Sequence, residues 1–243
     1  MASRPNTRKT ALVTGGAKRV GRELALALAR SGMNVAITYH ESEAEASQTV
    51  QDLEALGVRA AALQLDVRSE ESVRQVVAAT IAQFGSLDLL VNNAAVFESA
   101  ALDEITLAQW DAVFETNTRG PFLMAREALS YLKAARGRIV NLGSLGGSHP
   151  WATHAHYCAS KAALHMLTQT MAKAFAPEVS VNCVAPGYIE MKPGKEAAHF
   201  ASKTPMSRNG TPQDVAEAVL FFALGPQFIT GQILAVDGGL GLS

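Results

Sequence analysis

The stretch "TALVTGGAKRVGRELALALARSGMNVAITY", Thr10 to Tyr39, decides the fold. A short apolar run, "TALVT", passes through a glycine turn into an amphipathic stretch that stops at Gly32, and a second apolar run, "NVAITY", follows at Asn34. Both runs are continuously apolar and do not alternate, which is the pattern of parallel strands buried on both faces. The same alternation of run and helix continues with "AAALQL" at Ala60, "LDLLVN" at Leu87, "GRIVNL" at Gly137, "SVNCVA" at Ser180 and "QILAVD" at Gln232. This order predicts a doubly wound parallel seven-stranded α/β sheet with helices on both faces.

Helix ends are legible between the runs. Ser42 with Glu45, and Thr106 with Gln109, have the spacing of capping boxes, and Thr211 followed by Pro212 reads as an N-cap with proline at the first helical position. Gly32, Gly57 and Gly85 stand where helices should stop. No repeat or linker interrupts the chain, so residues 1–243 are expected to form one domain, with a single long irregular segment from Glu190 to Asn209. That segment holds Pro193, Gly194 and Pro205 and reads as a mobile lid over a substrate of limited size.

Composition excludes several classes of function. With 243 residues, 48% hydrophobic and 18% charged, the chain is long enough for one well-filled core. A net charge of −1 supplies no field that would draw it to nucleic acid or an anionic membrane. Cys158 and Cys183 form neither a disulfide framework nor a metal-ligand set, and both read as buried free thiols of a reducing compartment. The start, "MASRPNTRK", is polar and the apolar run behind it is too short for a signal-peptide core, so a cytoplasmic location is expected.

The turn "TGGAKRVG", Thr14 to Gly21, joins the first strand to a helix beginning near Val20. A helix N-terminus after a tight glycine turn offers free N–H groups and the positive end of a dipole to a phosphate. Gly15 permits the turn and Gly21 lets the helix lie close to the sheet. Lys18 and Arg19 stand where another glycine might be expected. The second strand tells which nucleotide fits. NAD usually calls for an acid at its tip to bind the ribose diol, and here the tip is Tyr39, followed by His40, Glu41 and Ser42. A 2′-phosphate there would meet Arg19, His40 and Ser42, which favours NADPH. Glu41 as a ribose ligand is the rival reading.

A second informative stretch is "YCASK", where Tyr157 and Lys161 lie four residues apart on one helix face. An ammonium beside a phenol stabilises the phenolate, which would bring Tyr157 down from about 10 toward the range of a general acid. Ser144, just after the fifth run, is placed to hold a substrate oxygen, and Asn117 falls in the helix before that run.

Taken together, these motifs resemble the short-chain dehydrogenase/reductase family from about Thr10 to Gly239. The matches are "TGGAKRVG", "DV" at Asp66 and Val67, "NNAA" from Asn92, Asn117, Ser144, "YCASK", "PG" at Pro186 and "TGQILAVDGG" from Thr230. The resemblance implies a Rossmann-like sheet and an NADPH-binding set made of Gly15, Lys18, Arg19, Val20, Tyr39, His40, Ser42, Asp66, Val67, Asn93, Ala94, Tyr157, Lys161, Pro186, Gly187 and Ile189. It also implies a catalytic set in which Tyr157 protonates the carbonyl oxygen and Ser144 positions it. Lys161 would hold the nicotinamide ribose and tune Tyr157, and Asn117 would support a water chain to Lys161. Two departures stand out: Ala95 replaces the glycine of the usual "NNAG", and Arg19 replaces the middle glycine of the cofactor loop, as it does in pteridine reductases of the family.

The resemblance points to 3-oxoacyl-carrier-protein reductases, with a 3-oxoacyl thioester or small ketone as substrate. Ser144 stands where pteridine reductases typically carry Asp, so pterin reduction is the alternative. Arg126, Lys133 and Arg136 are candidates for docking an acidic carrier, opposed by Glu178. His149, His154 and His156 are expected to rim the pocket and not to bind a metal, with Pro150 and Trp151 as an apolar wall. A reading of another class is a non-catalytic NADP(H)-binding redox sensor or scaffold, against which the intact Asn117, Ser144, Tyr157 and Lys161 argue. Family members are commonly homotetramers joined through the Asn117 and Tyr157 helices and the last strand, so a homotetramer is implied here.

Overall fold

A computed structural model describes residues 8–192 and 194–242. Seven parallel strands form one sheet in the order β3-β2-β1-β4-β5-β6-β7. They are β1 Thr10–Val13, β2 Asn34–Tyr39, β3 Ala60–Gln64, β4 Leu89–Asn92, β5 Arg138–Leu142, β6 Ser180–Pro186 and β7 Ile233–Val236. Each coincides within a residue or two with a run read from the sequence. The helices are α1 Arg19–Arg30, α2 Glu43–Ala55, α3 Glu70–Phe84, α4 Leu107–Phe114, α5 Gly120–Ala135, α6 Ala155–Phe175, α7 Lys195–Lys203 and α8 Pro212–Leu224. Two apolar layers result, one centred on α1 and α8 and the other on α3 and α5, with the buried strands between them. The strand order reverses direction between β1 and β4, and ligands of doubly wound sheets bind at that point.

Gly32, Gly57 and Gly85 all adopt positive φ, as helix stops require. The Thr106–Gln109 box forms, and Thr211 caps α8 in a box with Asp214. Two expectations fail. Ser42 precedes α2 but makes no capping bond, because at φ −92° and ψ 60° its backbone lies outside the extended region from which an N-cap hydroxyl reaches back. The segment Glu190–Asn209 is not irregular throughout: it contains α7, and its ends are clasped by a parallel bridge between Ile189 and Gly210. Pro193 lies outside the described residues.

Candidate active site

The β1–α1 turn is held from three sides. Gly15 N and Gly16 N donate to the Thr38 side chain and carbonyl at 3.1 and 2.9 Å, tying the turn to the end of β2. Asn93 Nδ2 donates to the carbonyls of Thr14 and Gly15, while Thr14 Oγ1 accepts from the amides of Asn93 and Ala94. The Asn93 side chain therefore shapes the turn. Gly21 sits so close that an added Cβ would lie 2.1 Å from the Gly15 carbonyl oxygen.

Arg19 opens α1 at φ +53°, a left-handed conformation that normally belongs to glycine. The arginine thus occupies the missing glycine's place and also its geometry. Lys18 and Arg19 are exposed, and neither belongs to any ion pair among the described residues. At the neighbouring strand tip, His40 lies 3.6 Å from Glu41 and 3.9 Å from Asp66. Asp66 takes a bidentate bond from Arg68, whose guanidinium holds its carboxyl down to about 2. Val67 packs on Gly120 at the start of α5. Val20 and Tyr39 are half-buried against the first apolar layer.

Across the switch point, β6 ends at Pro186, and Gly187 N donates to Val236 O. The Ile189–Gly210 bridge uses the Tyr188 carbonyl and the Glu190 amide, so the N–H of Ile189 faces the other way. That N–H suits the carboxamide role read from the sequence.

The Tyr157 helix begins at Ala155, and Tyr157 and Lys161 share a face one turn apart, as expected. Lys161 is buried, its Nζ donates to the Leu142 carbonyl at 2.7 Å, and it lies 5.7 Å from the centre of the Tyr157 ring. Burial brings its ammonium down to about 8. Ser144, at the exit of β5, neighbours the Tyr157 phenol, and its hydroxyl accepts from Gly146 N at 3.1 Å. The expected downward shift of Tyr157 is not what the structure gives. Burial raises the phenol, the neighbouring Ser144 hydroxyl opposes that only in part, and Lys161 is engaged with Leu142. Tyr157 therefore stays protonated at neutral pH, which is the state of a proton donor.

Asn117 lies in a π-helical turn, Glu115–Arg119, between α4 and α5. Such turns place one extra residue in the helix and often mark functional sites. Its Oδ1 accepts from Val96 N, and its Nδ2 donates to Val96 O and to Ser160 Oγ, which in turn donates to Tyr157 O. The Asn117 side chain is therefore occupied in fastening the β4 exit to the Tyr157 helix.

Around Tyr157 stands an aromatic wall. Phe97, 62% exposed, meets Tyr157 edge-on at 4.8 Å and stacks on His154 at 4.7 Å, while Trp151 stacks over Tyr157 at 6.1 Å. Facing segment Tyr188 stacks on Phe200 of α7 at 4.3 Å. Trp151 and His154 were named from the sequence. Phe97 was not, and its only signal is an aromatic residue just beyond "NNAA". Two other expectations are corrected. His156 is fully buried and so does not rim a pocket, while His149 is half-buried with its ring bonded to the Gly241 carbonyl at 2.9 Å. Cys158 is half-buried; only Cys183 is fully buried. Among the described residues no group of His, Cys, Asp or Glu has metal-site geometry, and no helix is long and apolar enough to cross a membrane. Of the carrier-docking candidates, Arg126 is paired with Glu70 at 3.1 Å and Lys133 with Glu178 at 3.8 Å.

Comparison with known proteins follows the same outline. Residues 15–241 match a family described as enoyl-(acyl carrier protein) reductase. A 3-oxoacyl-[acyl-carrier-protein] reductase of Synechocystis sp. is 37% identical over 240 residues, covering 96% of this chain and 97% of that protein. A blue fluorescent protein from a metagenomic library, solved in complex with NADPH, is 36% identical with a TM-score of 0.90, covering 96% of this chain and 98% of that one. A dehydrogenase/reductase from Sinorhizobium meliloti 1021 is 39% identical with a TM-score of 0.91, covering 96% and 95%.

Proposed function

This chain belongs to the short-chain dehydrogenase/reductase family of oxidoreductases, and on that premise we propose that it is an NADPH-dependent reductase of a 3-oxoacyl thioester or small ketone. One observation carries the reading: a half-buried phenol, kept protonated, neighbours the Ser144 hydroxyl and lies one helical turn from a buried ammonium. Two neighbouring hydroxyls suit a single carbonyl oxygen.

The residues present fit the cofactor. Gly15, Gly16 and Gly21 let the turn pack closely against β2, the β4 exit and itself at the start of α1, where a phosphate would meet the helix N-terminus, and the exposed Arg19 opens that helix in a turn bonded to Thr38 near the end of β2. A non-glycine residue in the left-handed region costs on the order of 1–2 kcal/mol, a cost consistent with a guanidinium needed at that spot. Ser42 makes no capping bond, so its hydroxyl is available to the same 2′-phosphate. Bound NADPH supplies the hydride. The chain supplies the rest: Ser144 and Tyr157 hold the carbonyl oxygen, Tyr157 gives it a proton as negative charge develops, and the Lys161 ammonium, held by the Leu142 carbonyl, lies 5.7 Å from the centre of the ring that carries the phenolate left behind. Asn117 supports this set through Val96 and Ser160.

The test is NADPH oxidation with a panel of β-ketoacyl thioesters, simple ketones, quinones and dihydropterins. Turnover of thioesters or ketones is expected; failure of all of them with NADPH still bound would contradict the proposal. Phe97 favours a second reading, since its exposed ring beside Tyr157 offers a stacking face to a planar heterocycle such as a pterin. Selective turnover of dihydropterins would establish that reading instead. The proposal extends to a cytoplasmic homotetramer. Trp110, Phe122, Tyr131 and Met166 expose apolar surface along α4, α5 and α6, and light scattering on the purified protein measures its mass.

A further inference from the structure

The helix face that carries Tyr157 and Lys161 continues one turn further to His165, which none of the chemistry above uses. Its ring is only 8% exposed, and Nε2 has no hydrogen-bond partner. It lies flat against the two glycines that bracket Ser144. A Cβ added at Gly143 would come within 2.4 Å of Nε2, and one added at Gly147 within 2.5 Å of Cε1. At Gly147 the three nearest atoms all belong to His165.

Between those glycines, the segment folds back on Ser144: Gly146 N donates to Ser144 Oγ and Gly147 N to the Ser144 carbonyl. Immediately before Gly143 is Leu142, whose carbonyl receives Lys161 Nζ. The imidazole therefore lies where α6 meets the segment that carries both the Ser144 hydroxyl and the Lys161 anchor. We propose that His165 is a positioning residue whose ring, seated on Gly143 and Gly147, sets the gap between Ser144 and the Tyr157–Lys161 helix face. The proposal rests on Tyr157 being the proton donor.

The groups facing His165 agree with a neutral spacer. They are Lys161 on its own helix and Cys183 from β6, and the Gly143–Gly147 segment brings no charged side chain. Burial and the Lys161 charge hold the imidazole below its ordinary range, while burial pushes the Cys183 thiol up to about 12. At neutral pH only Lys161 of the three is charged. As pH falls, protonation of His165 sets a second cation beside Lys161.

Displacement of a reacting group by about 1 Å can cost on the order of 100-fold in rate. Gly147→Ala, which forces a methyl against the ring, should therefore lower kcat about tenfold or more and weaken NADPH binding about threefold. In the double variant Gly147→Ala/His165→Ala the methyl enters the space the ring leaves, and much of both losses should return. His165→Leu keeps a neutral side chain of similar bulk. It should retain activity at neutral pH and lose the acid-side decline expected of the unmodified protein as His165 protonates. NADPH affinity, read by fluorescence titration, needs no substrate. If it shows the coupling while the unmodified protein reduces nothing, the proposed function fails and the positioning role stands. Additive losses in the double variant, full activity in Gly147→Ala, or an unchanged acid side in His165→Leu would each overturn the positioning role.

Discussion

The β1–α1 turn is pinned at almost every residue, whereas the segment Glu190–Asn209, which we propose covers the substrate, is fastened at separate points. The turn is fixed by bonds from Gly15 N to the Thr38 hydroxyl and from Gly16 N to the Thr38 carbonyl, by the Asn93 side chain beneath it and by the close approach of Gly21 to Gly15. The segment Glu190–Asn209 is clasped at its base through the Ile189–Gly210 bridge and a 2.8 Å bond from Asn209 to Glu190, and further along by Met206 N on the Gly238 carbonyl and by the Arg208–Asp214 ion pair. Above that base it rests on the Tyr188–Phe200 stack, with Met191 and Met206 exposed. A cradle pinned this closely tolerates almost no change, as a site for a constant ligand would require. A cover of stacked rings over a small clasp can be re-shaped residue by residue, which is where substrate choice would reside.

If that contrast is right, the largest effect should come from Gly21→Ala. The new methyl meets backbone at 2.1 Å, so the turn must shift, and a shift of this kind is expected to weaken NADPH on the order of 100-fold. Fluorescence titration of NADPH on a variant shown by circular dichroism to be folded decides it; unchanged affinity would break the comparison on its rigid side.

Arg19→Gly comes next and has two readouts of opposite sign. Glycine accepts φ +53° without strain, so the melting temperature should not fall. Loss of a charge-assisted bond worth about 1.5–3 kcal/mol should weaken NADPH by about tenfold or more while leaving NADH nearly unchanged. Equal titration curves for both nucleotides in the unmodified protein would turn attention to Glu41.

A pH profile sharpens the substrate side. Burial lowers Lys161 from 10.5 to about 8, so its ammonium is fully present below that value and is lost as pH rises through it. Reduction, followed as kcat/KM, should therefore decline above about pH 8. For stability the sign is reversed: the cost of burying the charge is present below about pH 8 and is relieved between there and 10.5. The smallest effect should be Phe200→Ala. Loss of an aromatic pair worth about 0.5–1.5 kcal/mol should raise KM for the carbonyl substrate about two- to tenfold and leave NADPH affinity alone.

The rigid side was also the legible one. Strands buried on both faces show as continuous apolar runs, and helix stops show as glycines because φ near +80° selects them, as at Gly32 and Gly57. Arg19 was conspicuous in the sequence as the wrong residue for a glycine place, and the structure shows that the place still has glycine's geometry. Ser42 misled because a capping pattern does not specify ψ. Phe97, Phe200 and His165 were illegible for a different reason. Each gains its meaning from a partner far along the chain (Tyr157, Tyr188 and Gly147 respectively), and no local period records such pairings. The direction of the Tyr157 shift was missed likewise, since the lysine four residues on was visible but burial and the Leu142 carbonyl were not.

Tyr157→Phe tests the central claim most directly, because it removes one hydroxyl and leaves the ring between Phe97 and Trp151. On a carbonyl substrate that the unmodified protein turns over, the variant should lose about 10²- to 10⁴-fold in the rate of NADPH oxidation, the range for loss of general acid catalysis. Its NADPH titration should be superimposable on that of the unmodified protein. Full activity in Tyr157→Phe would contradict the account.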